Sequence, residues 1–143
     1  MKVKQISVFL ENKHGRMAQV AQILSDRSIN IRAMSIADTT DFGILRLITN
    51  DPEASLQALQ ESGFTVSVTD VIAVEIEDKP GGLHRVLDIL QQANINIEYL
   101  YAFIQKNANA ALVVFRVEQL DEAINVLQQN QINILQDNMV YAL

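Results

Sequence analysis

Glu77-Asp78-Lys79-Pro80-Gly81-Gly82-Leu83 joins a strand-like run to a helix-like run, and the same join occurs earlier as Glu11-Asn12-Lys13-His14-Gly15-Arg16-Met17. Before the later turn, Ile72, Val74 and Ile76 alternate, which gives a strand one buried face. After it, Leu83, Val86, Leu87 and Leu90 fall at i, i+3, i+4 and i+7, the spacing of one helical face. Proline fits the start of a helix and glycine has no Cβ, so the turn presents bare amide N–H groups at a helix N-terminus, where an anion is stabilised. Asp78, three residues before Gly81, adds an acceptor for a cation. The stretch is therefore either a solvated connection or a site for a molecule carrying both charges, as a free α-amino acid does.

The repetition extends well beyond the turn. Glu11, Lys13, Gly15, Val20, Ile23, Leu24, Ile29, Asn30 and Ile31 all recur as the same residue at one offset of 66 residues, as from Glu11 to Glu77. The offset is 68 from Leu56 to Ile124, so the second copy has gained two residues between, which belong in a loop. In the first copy the strand alternates through Ile6, Val8 and Leu10, and the helix stripe is Met17, Val20, Ala21 and Leu24. Two extended runs follow, 29–37 and 44–49, with a hairpin loop over 38–43 that corresponds to 105–110 in the second copy. A second helix opens on Asp51 as N-cap with Pro52 at N1, carries Leu56 and Leu59, and stops at Gly63; its counterpart carries Leu120, Ala123, Ile124 and Leu127. Closing strands are expected at 64–68 and 132–135. This is β-α-β-β-α-β twice, the ferredoxin-like order, with an antiparallel sheet and both helices on one face. The fold class is α+β, in two tandem domains at 1–70 and 71–143, with Thr69-Asp70 running directly between them.

Composition narrows the function. The chain of 143 residues has a net charge of −6 and no basic footprint for nucleic acid. No apolar run reaches the ~20 residues of a membrane span, and the run from Ile6 to Leu10 is too short for a signal sequence, so a cytoplasmic protein is expected. Without cysteine there is no disulfide or thiolate ligand, and His14 and His84 stand at unmatched positions with no second histidine at i+4, so neither a metal nor a cofactor is expected. Tyr99, Tyr101 and Phe103 alternate along one strand face and read as core or interface rather than ligand pocket. No Ser-His-Asp set or glycine-rich nucleotide loop stands out.

These residues resemble the ACT domains, small ferredoxin-like regulatory modules of amino-acid metabolism. The resemblance covers nearly the whole chain. It rests on Asn12, Gly15 and Asn30-Ile31 in one copy and on Asp78, Gly81 and Asn96-Ile97 in the other. The first copy departs from the pattern with His14 for proline and Arg16 for the second glycine. The resemblance implies a freestanding, non-catalytic sensor that holds a free amino acid between two modules and signals to an enzyme, a regulator or its own oligomer, expected to be a homodimer. The expected ligand contacts are the amides of Gly81, Gly82 and Leu83 for the carboxylate and Asp78 for the ammonium, with Asn96 and Ile97 near. Asn12, Gly15, Arg16, Met17, Asn30 and Ile31 form a weaker or merely shaping counterpart. Two alternatives stand beside it: an adaptor that has lost its ligand, and a small acylphosphatase-like hydrolase with Arg16 clamping the substrate. Gly82, standing where the first copy has Arg16, disfavours the second.

Overall fold

Alternation in the sequence becomes a one-sided sheet in each half of the chain. The computed structural model describes residues 1–11, 13–38, 41–104 and 110–143. These form two compact units, Lys4–Thr69 with Tyr141–Leu143 and Asp70–Val140 with Met1–Val3. In the first, β1 (Val3–Glu11) pairs antiparallel with β3 (Phe42–Thr49), placing Ile6 opposite Leu47 and Val8 opposite Leu45. β2 (Ile31–Asp38) lies on the outer side of β3, and β4 (Thr65–Glu77) lies beside β1. Helices α1 (Arg16–Asp26) and α2 (Pro52–Glu61) cover one face, since Val20, Leu24 and Leu59 share a core with Ile6, Val8, Leu10, Leu45 and Leu47.

The second unit repeats this plan with the latter part of β4, α3 (Gly82–Gln92), β5 (Ile97–Ala102), β6 (Ala110–Val117) and α4 (Leu120–Gln129). The strand order is β4-β6-β5, all antiparallel, with Ile72 opposite Phe115 and Val74 opposite Val113. Those residues share a core with Val86, Leu90, Ala123 and Leu127, so again both helices sit on one face. Tyr101 and Phe103 are buried, and the Tyr99 and Tyr101 rings stack 6.4 Å apart, which fits the core reading of that alternation.

Two expectations need correction, and one element is new. The closing strand at 132–135 is a single bridge from Ile134 to Val74, held by Glu75 N–H donating to Asn133 and Leu135 N–H donating to Ala73, both at 2.9 Å. Polar Asn130, Gln131, Asn133 and Gln136 leave too few strand formers there for a longer ladder. A short helix absent from the sequence reading, α5 (Asp137–Tyr141), follows and buries Val140. Finally, Met17 and Leu83, the first members of the two helical stripes, are each 41% exposed, and Ala21 is exposed as well. Half-buried Ile23 and Ile89 join the cores in their place. Of the predicted hairpin loops, 39–40 and 105–109 lie outside the described residues.

Helix ends are set by backbone chemistry. The Asp51 side chain accepts from Ala54 N–H at 3.0 Å, with Pro52 in the first turn, as its N-cap position demands. At its other end Gly63 has φ +88°, and Phe64 N–H reaches back to the Leu59 carbonyl while Gly63 N–H reaches Gln60. That pair of bonds is a Schellman motif. Ser28, Asn94 and Gln131 occupy the same left-handed position at the ends of α1, α3 and α4, each without glycine's freedom.

The glycine turns as a candidate ligand site

Both turns reach the same backbone shape. Gly15 (φ 83°, ψ −2°) and Gly81 (φ 87°, ψ −9°) are left-handed N-caps whose carbonyls accept the first helical bonds, from Gln19 and Arg85. A Cβ at either glycine would meet nothing within 4 Å, so the requirement is conformational and the space above is open. Each turn also carries an ion pair spaced two residues apart, Glu11–Lys13 at 2.7 Å and Glu77–Lys79 at 2.6 Å. Hydrogen bonding from Lys13 and Lys79, with their charge, holds both carboxyls below the ordinary glutamate range.

The second turn is closed more tightly. A Cβ on buried Gly82 would stand far inside contact distance of the Glu77 carbonyl oxygen and 3.3 Å from the Ile76 side chain. Its N–H donates to the Lys79 carbonyl at 3.0 Å. Gly82 is therefore required by helix-on-strand packing, and its amide is already engaged. The Leu83 amide has no partner among the described residues. Beside the turn lies a cleft of about 470 Å³ where Glu75, Glu77, Lys79, Arg85 and Asn133 converge. Within it Asn133 Nδ2 donates to Glu75 at 2.6 Å, and Arg85 donates to the Asn130 carbonyl at 3.1 Å.

At the first turn Arg16 replaces Gly82, and the corresponding amide bond, Arg16 N–H to the Lys13 carbonyl, lengthens to 3.4 Å. The Arg16 guanidinium donates to Gln19 at 3.2 Å and lies 6.0 Å from the Phe64 ring centroid. It occupies the place corresponding to the second unit's cleft, leaving about 280 Å³ between Arg16, Phe42 and Phe64. On the opposite side of this turn a separate pocket of about 410 Å³ is lined by Glu11, Lys13, Gly15, Met17 and Ile36 among others.

A family model described as an ACT domain pair matches residues 1–143. The chain belongs to that family. Protein BT0572 from Bacteroides thetaiotaomicron is similar along the whole length, at 40% identity, covering 100% of this chain and 98% of that one with a TM-score of 0.95. The ligand-free regulatory subunit of aspartate kinase from Thermus thermophilus shares the fold at 18% identity, covering 88% and 91% with a TM-score of 0.65. The regulatory subunit of aspartate kinase from Thermus flavus does so at 18% identity, covering 88% and 90% with a TM-score of 0.61. No curated protein matches the sequence.

Within each ACT unit the residues of the family pattern separate into two groups. Gly15, Arg16 and Met17 line one pocket, and Gly81 and Gly82 line one cleft. Asp78 is exposed beside the second turn and lines neither, while Asn12 lies outside the described residues. Asn30-Ile31 and Asn96-Ile97 stand at the far end of α1 and α3, about 16 Å away along an 11-residue helix. There the Asn30 amide donates to Asn50 Oδ1 at 2.9 Å, and the Asn96 carbonyl accepts from Glu118 N–H at 3.2 Å, so both pairs open their strands. Asn96 thus stands at the opposite end of α3 from the glycine turn of its own unit. The two Glu–Lys pairs are the polar groups that the sequence reading missed as site residues. Their recurrence at one offset and one spacing was the available signal. Among the described residues no cluster could hold a metal ion, and no helix is long and apolar enough to cross a membrane.

Proposed function

We propose that this ACT domain pair is a non-catalytic, cytoplasmic regulatory protein that binds a free α-amino acid at its glycine turns and passes occupancy to a partner protein or to its own oligomer. The observation that supports it is the ion pair repeated at both turns, each beside an open hollow and a helix-start amide, at Met17 or Leu83, without a partner among the described residues. An amino acid brings both charges: its ammonium replaces lysine at the glutamate, and its carboxylate replaces glutamate at the lysine and takes the amide. At the second turn Asp78 strengthens the acidic side. Arg16, held by Gln19 and Phe64, speaks against the hydrolase reading. The exposed Phe9 and Phe42, with ring centroids 5.1 Å apart on the sheet face away from the helices, suit a homodimer, which light scattering above 16.0 kDa would reveal.

Thermal melting against the twenty amino acids is the first test, since a ligand at 100 times its dissociation constant adds ~2.7 kcal/mol. Calorimetry on Asp78→Ala then examines the second turn. Loss of a charge-assisted bond of ~1.5–3 kcal/mol weakens binding roughly tenfold to a hundredfold. Unchanged affinity with the fold intact removes Asp78 from the site, and no ligand at millimolar concentration leaves the adaptor.

A further inference from the structure

We propose that the pocket at the first glycine turn selects an α-amino acid with an aliphatic side chain. This rests on the amino-acid reading above and adds the class of ligand.

The pocket of about 410 Å³ falls in the size range of small-molecule sites and has two unlike walls. One wall carries the Glu11 carboxylate and the Lys13 ammonium, 2.7 Å apart and both well exposed. A zwitterion fits such a pair because each of its ends substitutes for one partner. The apolar part of the lining is Leu10, Met17, Ala18 and Ile36, and exposed His14 is a further polar lining residue. Gly43, directly opposite Leu10 in the β1–β3 register, adds no side chain to this lining.

Met17 and Ile36, one from α1 and one from the outer strand β2, are 41% and 45% exposed, so two large apolar side chains border the same hollow in water. An aliphatic ligand side chain covers both. A lysine or arginine ligand finds no acceptor on that wall, and burying its charge unpaired is unfavourable. Arg16 lines the pocket too, but its guanidinium is committed to Gln19 and the Phe64 ring. At the second turn the corresponding ion pair adjoins Glu75, Arg85 and Asn133, so the aliphatic preference belongs to the first turn.

The test is titration calorimetry of the full chain with leucine, isoleucine, valine, methionine, alanine, aspartate and lysine. Leucine or isoleucine should bind at least about tenfold more tightly than alanine, the discrimination an apolar pocket achieves per methylene or two. Ile36→Asp should weaken that binding by at least about tenfold while the melting temperature stays near that of the parent chain. Met17→Ser, at an exposed helical position, repeats the measurement should the strand variant fail to fold. Tight binding of aspartate or lysine alone overturns the aliphatic assignment and leaves the amino-acid reading standing. Leucine binding indifferent to both folded variants also overturns it by placing the ligand elsewhere. Silence from all seven in calorimetry and from all twenty in the melting screen removes the wider reading, and this inference with it.

Discussion

The two glycine turns share backbone angles to within a few degrees at Gly15 and Gly81, yet one continues into Arg16 and the other into Gly82. Three features of the turns differ with it. The amide bond across the turn is 3.0 Å in the second unit and 3.4 Å in the first, because only glycine lets the helix start settle against the preceding strand's last carbonyl. The cleft beside it is about 470 Å³ in one unit and about 280 Å³ in the other, where Arg16 lies over Phe64. A separate hollow of about 410 Å³ lies on the other side of the first turn, against Met17 and Ile36. A glycine pair that reads as a bare cradle is thus two demands of different origin, the first conformational and the second steric.

Substitution at that position separates them most sharply. Gly82→Ala should cost ~1–3 kcal/mol by overpacking on Glu77, seen as a fall in denaturant midpoint with unchanged slope. Arg16→Ala at the matching position should cost under ~1 kcal/mol, the worth of an exposed cation–π contact. Equal losses would mean that the two turns are packed alike after all.

A smaller effect of opposite sign is expected where the halves differ at a helix end. Gln131 holds at φ 56° the place that Gly63 holds at φ 88°. Gln131→Gly should therefore stabilise by ~1 kcal/mol, and Gly63→Gln should destabilise by as much, both by chemical denaturation. Smallest of all is the pH response, in which the halves should agree. Glu11 and Glu77 have lowered folded-state pKa values, so the stabilisation from their lysine pairs is full above the ordinary value of 4.5 and fades as pH falls through the lowered ones. Carboxyl titration by NMR should show both midpoints returning upward in Lys13→Ala and Lys79→Ala.

Periodicity made most of the fold legible. Ile6, Val8 and Leu10 and their counterparts gave the sheet face, and Asp51-Pro52 with Gly63 bracketed α2 to within a residue or so. It failed where the element was too short to repeat its pattern, as with the single bridge at Ile134 and the five residues of α5. Met17 and Leu83 kept the helical spacing but sit at the first turn of their helices, where they remain in water. The helical spacing from Leu83 to Leu90 already placed a helix between Gly81 and Asn96, and α3 spans that interval.

Tyr141 is counted with the first unit, where its hydroxyl accepts from the Lys4 amide at 2.8 Å and its carbonyl accepts from Arg32 Nε at 3.2 Å. On the ribosome, that arrangement decides an order of events. Domains ordinarily fold as they emerge, at ~5–20 residues per second. Here the first half must wait, incomplete, while the entire second half is translated, and Lys4 and Arg32 gain their last hydrogen-bond partner only when Tyr141 leaves the exit tunnel.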